Sequence, residues 1–172
     1  MTVIQTGELP QSALLGKYKQ QGAYTDCYFM DLPRAVSQAE YVEAFYTTSL
    51  FKVERAILSA LVAKPSTDLQ AQQLAAGEVD QFSAWSVEGR APDQLLLCDF
   101  QGRTRSWLMS VDAETGNSSG TRLYFGSAVV PVIDKVSGKK SFGFAFHALM
   151  GFHRLYSRSL MASARARLLR PK

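Results

Sequence analysis

The chain has 172 residues, of which 47% are apolar, 11% aromatic and 20% charged. That is the balance of one globular domain with a substantial core, and it excludes a disordered or low-complexity chain. The net charge of +4 is uneven: residues 1–134 carry 10 basic and 15 acidic side chains, whereas residues 135–172 carry 9 basic and no acidic ones. No secretory signal is expected, because Met1 to Leu15 lacks a basic start and a continuous apolar run. The longest apolar run, Phe142 to Phe152, falls far short of the ~20 residues of a membrane span. A cytoplasmic protein without membrane insertion is therefore expected, with Cys27 and Cys98 as buried free thiols inside strands.

Residues 1–22 carry no firm pattern and are treated as an N-terminal extension, with Leu14 and Leu15 as possible anchors. Tyr24 to Leu32 is rich in β-formers and closes at Pro33, which predicts a strand. Ser37 and Glu40 form a capping box, flanked by Val36 and Tyr41 at hydrophobic-staple positions, so a helix starts at Gln38. Thr47 to Ser49 interrupts it, and a second run from Leu50 to Ala63 carries one apolar and one charged face up to Pro65. A short third helix covers Asp68 to Ala75 and stops at Gly77.

From Gln81 the pattern becomes β, with strands expected over 82–88, 94–100, 103–111 and 121–132 and turn chemistry between them. A two-residue turn at Gln101–Gly102 sets Leu96 opposite Trp107 and Cys98 opposite Arg105. A loop over 113–119 then sets Trp107 opposite Phe125 and Met109 opposite Leu123. Alternation puts Leu96, Arg105, Trp107, Met109, Leu123 and Phe125 on one face, expected to meet the last helix. The other face, with Thr104, Ser106, Ser110 and Arg122, is expected to be largely wet.

Ser141 to Arg170 reads as one long amphipathic helix. Ala145, Leu149, Phe152, Tyr156 and Leu160 form its apolar side; His147, Arg154, Arg158 and Arg165 lie opposite. His147 and His153 stand about 240° apart around the axis, so they cannot chelate one metal from one face.

Helices segregated from a run of antiparallel strands make an α+β fold in a single domain. Over roughly residues 24–168 this order resembles the START-like (SRPBCC) superfamily of polyketide cyclases and birch-pollen-type allergens. Its helix-grip fold wraps a curved antiparallel sheet around the C-terminal helix. The strings GRTRSWLM (102–109), GTRLYFGSAVVP (120–131) and GFHRLYSRSL (151–160) are also similar to a bacterial domain family of unknown function. The resemblance implies a cavity between sheet and last helix, binding or carrying a small apolar or amphipathic molecule. Its walls would be Leu96, Trp107, Met109, Leu123, Phe125, Leu149, Phe152 and Tyr156, with Arg105 and His153 as polar fixtures. Arg105, on an otherwise apolar strand face, needs a carboxylate, carbonyls, the cavity mouth or a ligand's acid group.

Two alternatives stand beside this reading. One is a cyclase, hydratase or isomerase with His153 as acid–base, near Tyr156 and Tyr28. The other is an anionic-surface contact through the basic helix, although no exposed aromatics accompany the arginines as in a nucleic-acid binder. No nucleotide loop, zinc motif or nucleophile motif is present, so no cofactor is implied. The sequence does not specify an oligomeric state.

Overall fold

The computed structural model describes residues 3–62, 65–115, 118–133, 137, 138, 140–142 and 144–170; residues 57–62, 114, 115, 118 and 144–150 are described by main chain alone. The elements in order are β1 (Gln5–Thr6), α1 (Gly16–Gln20), β2 (Tyr24–Leu32), α2 (Gln38–Tyr46), α3 (Ser49–Val62) and α4 (Asp68–Ala76). They are followed by β3 (Gln81–Phe82), β4 (Trp85–Ala91), β5 (Gln94–Asp99), β6 (Thr104–Thr115), β7 (Ser118–Val129), β8 (Val132–Ile133), β9 (Lys140–Ser141) and α5 (Phe144–Leu168). Seven strands form one antiparallel sheet in the order β1-β2-β7-β6-β5-β4-β3. The fold is α+β, with α2 and α5 packed together on one side of the sheet in a helix-grip-like layout.

Local chemistry accounts for the helix starts. Ser37 accepts from the Glu40 amide while the Glu40 side chain accepts from the Ser37 amide, and Thr67 with Gln70 repeats the device at α4. Gly77 closes α4 in the left-handed conformation, at φ 80°.

The register of the central hairpin departs from the expected one. β6 and β7 remain paired to Thr115↔Ser118, so their connection is two residues long rather than the seven-residue loop anticipated at 113–119. Trp107 therefore faces Gly126, and Met109 faces Tyr124, one position from the anticipated partners. The β5–β6 register, Leu96↔Trp107 and Cys98↔Arg105, agrees with expectation. A one-residue slip exchanges the faces of a strand. The two outer strands thus separate: Leu123 and Phe125 point to the helices, whereas Leu96, Trp107 and Met109 point the other way. The segment before β5 also differs, since β4 runs on to Ala91 with a bulge between Val87 and Gly89, and Phe82 belongs to the separate strand β3.

Two cores result. The larger lies between the helices and the sheet's inner face, with Tyr28, Met30, Leu95, Leu97, Leu108 and Phe125 meeting Tyr41, Phe45, Phe51, Leu160 and Met161. Ser106 and Ser110 are buried on this face, not wet as anticipated. Ser106 is satisfied there by a 2.9 Å bond to the Tyr46 hydroxyl. The second core lies on the back face, where Ala13, Leu15 and Tyr18 cover Cys27, Leu96, Trp107, Met109 and Ala128. The N-terminal extension is thus part of the domain.

Gln94 fixes that cover. Its Oε1 accepts from Trp107 Nε1 and from the Leu14 amide, both at 2.9 Å, and its Nε2 donates to the Ser12 carbonyl at 3.0 Å. Gly126 supplies the space, because a Cβ there would stand 2.9 Å from both Leu15 Cδ2 and Trp107 Cε3 and 2.8 Å from the Asp26 carbonyl. Cys27 is buried and Cys98 half-buried, both free thiols.

Gln94→Ala is expected to cost about 2–4 kcal/mol, because it leaves buried donors without acceptors. It should also raise amide exchange over residues 12–18 before that of β6; denaturant unfolding and hydrogen exchange measure the two effects. Gly126→Ala is expected to cost about 1–3 kcal/mol through overpacking against backbone and an immobile indole, read as a lower denaturation midpoint at unchanged m.

Candidate functional site

On the inner face, α2, α3, β4, β6, β7 and α5 line a chamber of about 200 Å³. Phe45, Phe51, Trp85, Phe125, Tyr156 and Leu160 form its apolar wall; Glu54, Ser106, Ser127, His153 and Ser157 supply polar atoms. Glu54 and Tyr156 also border a more open apolar groove of about 550 Å³ with Leu50, Val53, Phe152 and Leu155. The two spaces therefore share one wall, the Tyr156 hydroxyl donating to Glu54 Oε2.

A hydrogen-bonded cluster closes the sheet side. Ser127 Oγ and the Ser127 amide both donate to Asp26 Oδ1, at 2.7 and 2.8 Å. His153 Nε2 lies 2.8 Å from Ser127 Oγ and 3.0 Å from Asp26 Oδ2. One ring nitrogen thus meets both hydroxyl and carboxylate, while the Ser127 proton goes to Asp26. A nucleophile relay needs opposite ring nitrogens for these two partners, so Ser127 is not an activated nucleophile. The network assigns the Nε2 proton to His153, which donates to Asp26.

Glu54 is the electrostatic exception. Burial pushes its carboxyl above the usual range, against the opposing effects of the Tyr156 hydrogen bond and of His153. Burial likewise raises the Tyr156 phenol, reinforced by the neighbouring Glu54. Apolar surroundings disfavour the charged form, and such displaced groups concentrate at functional sites.

The anticipated site residues divide. His153, Tyr156 and Phe125 meet at the chamber. Leu96, Trp107 and Met109 do not: the slipped register sends them to the back core, where Trp107 is 0% exposed. Phe152 is 64% exposed and lines the outer groove, because the buried seam of α5 runs through Ser157, Leu160, Met161, Ala164 and Leu168. That seam is rotated about a quarter turn from the anticipated face. The side chains of Ala145, His147 and Leu149 lie outside the described residues, as do Lys135, Lys139 and Lys172.

Arg105 borders the chamber, but its guanidinium is committed on the back face. Its Nε bonds Glu88 Oε2 at 2.6 Å and the Tyr18 hydroxyl at 2.8 Å, Nη1 bonds the Gly102 carbonyl, and the group stacks 4.6 Å over the Tyr18 ring. Burial alone would raise the Glu88 carboxyl, but Lys17, Tyr18 and Arg105 together bring it below its usual range.

Asp26, Ser127, Glu54, Phe45, Phe51 and Trp85 were not anticipated. A signal existed for Asp26: strand parity puts it on the face of Tyr28, Met30 and Leu32. Several of the basic side chains are engaged by the chain itself. Arg158 reaches Thr6 Oγ1 and lies over the Tyr28 ring, and Arg167 donates to the Thr47 carbonyl. Among the described residues no cluster of His, Cys, Asp or Glu is suited to hold a metal ion, and no helix is long and apolar enough to cross a membrane.

No protein-family model matches the chain, nor does any curated protein or solved structure.

The raised Glu54 carboxyl has a stability consequence with a definite sign. Native Glu54 keeps its proton to higher pH than the unfolded chain does. From the unfolded value near ~4.3 up to the raised native value, rising pH therefore removes stability, which stays lost above it. Glu54→Gln should abolish that loss and raise Tm at pH 7–8, with the difference from the parent protein shrinking toward pH 4. Calorimetry of both proteins across pH 4–8 measures the difference.

Proposed function

We propose that the protein binds a compact, largely apolar small molecule in the chamber between the sheet and α5, as START-like carriers do in the corresponding space. The observation that carries this reading is the chamber itself. Aromatic side chains wall a void at which a half-buried carboxyl and an imidazole–carboxylate pair converge, and packing alone calls for none of those polar groups. Its volume of about 200 Å³ lies below the ~300–1,000 Å³ of sites for drug-sized ligands. The occupant is accordingly small, and any longer apolar portion extends past Glu54 and Tyr156 into the outer groove.

A second reading, turnover of the cyclase, hydratase or isomerase kind, is favoured by one observation. Glu54, with its raised carboxyl, and His153, paired to Asp26, border the same cavity, an arrangement that suits proton donation and acceptance by separate groups. Abolition of any discovered turnover by both His153→Gln and Glu54→Gln, with ligand affinity retained, would favour catalysis over carriage.

Fragment screening by protein-observed NMR, with native mass spectrometry of the purified protein, tests the binding reading. Fragments are expected to perturb the His153 and Tyr156 resonances, and Leu160→Phe, which adds volume to the chamber, is expected to weaken them at least tenfold. Fragments that bind with equal affinity to the filled variant would overturn it.

A further inference from the structure

The electrostatics of the chamber restrict what it can hold. Its wall carries two acidic groups within reach, Glu54 as a lining residue and Asp26 behind Ser127 and His153. Among the described lining residues the cationic side chain is Arg105, whose guanidinium is paired with Glu88 on the other side of the sheet. An anionic head group would therefore meet the Glu54 carboxyl and an imidazole already paired with Asp26, and no free guanidinium or ammonium group among the described lining residues. A positive ligand meets the opposite situation. Phe45, Phe51, Trp85, Phe125 and Tyr156 surround the space, and aromatic rings with a nearby carboxylate attract an ammonium ion that is only weakly hydrated.

Resting on the binding reading above, we infer that the chamber takes a compact alkylammonium ion, its cationic end among the aromatic side chains beside Glu54. Glu54 supplies the counter-charge without having to donate or accept a hydrogen bond. A quaternary ammonium is therefore admitted as readily as a protonated amine.

Isothermal titration calorimetry with three probes of one shape provides the test: choline, its neutral isostere 3,3-dimethylbutan-1-ol, and the anion 3,3-dimethylbutanoate. Choline is expected to bind at least tenfold more tightly than the neutral alcohol, with the carboxylate weakest. Glu54→Gln should reduce choline affinity at least tenfold and leave the alcohol unchanged. Equal or tighter binding of the neutral or anionic probe overturns the assignment of charge, as does choline affinity indifferent to Glu54→Gln. Absence of choline binding at millimolar concentration overturns it too. The fragment screen with Leu160→Phe answers separately whether the chamber binds small molecules at all, so a negative result with choline beside positive fragments removes only the ammonium assignment.

Discussion

The arrangement depends on the close approach of Trp107, Gly126 and Leu15. A full-sized indole lies over a neighbouring strand only where that strand offers no Cβ, and Gly126 is the residue paired with Trp107. With the indole seated there, its N–H needs an acceptor away from water, and Gln94 provides one while holding the N-terminal segment through Ser12 and Leu14. One contact thus fixes the β6–β7 register, the face on which Leu96, Trp107 and Met109 lie, and the path of residues 12–18.

That choice of face determines what is left beneath α5. With the largest side chain of β6 on the back, the inner face carries Thr104, Ser106 and Ser110 from the same strand, and Ser127 from the next. Small polar side chains cannot fill the space under the helix. Tyr46 satisfies Ser106 and Asp26 satisfies Ser127 without occupying it. The helix contributes Ser157, fully buried, rather than a large apolar group at the same level. The void follows from short side chains on facing elements.

Much of this architecture is legible in the sequence, and the failures have identifiable causes. The capping box at Ser37, the termination at Gly77 and the tight β5–β6 turn are signals carried by a few adjacent residues, and they predict α2, α4 and the Leu96↔Trp107 register correctly. The β6–β7 register depends on how many of residues 113–119 belong to the ladder, and a polar, glycine-containing stretch reads equally as loop or strand end. One residue of difference inverted the placement of Leu96, Trp107 and Met109. The back core was missed for a related reason. Residues 13–18 form no long periodic element, only one five-residue helix, so nothing local announces that Leu15 and Tyr18 cover a sheet. Phe152 was placed inward because an aromatic in an amphipathic pattern normally belongs to the buried stripe. The seam instead follows the smaller Ser157 and Ala164, which allow closer packing.

The energetic balance explains why a domain of this size can keep such a chamber. A chamber of about 200 Å³ left between sheet and helix forgoes the packing contacts that a filled core would make. Glu54, held in partly apolar surroundings, adds to the cost. A second core on the back face, with a buried tryptophan and a satisfied amide clamp, offsets that deficit without filling the chamber. The two faces therefore divide the labour: the N-terminal segment stabilises the sheet from behind, so that the helix side is free to hold a cavity and a displaced carboxyl. These two features each lower stability, and they meet at one place. Packing requirements alone would scatter or remove them, whereas an occupant that fills the volume and faces the carboxyl would relieve both together.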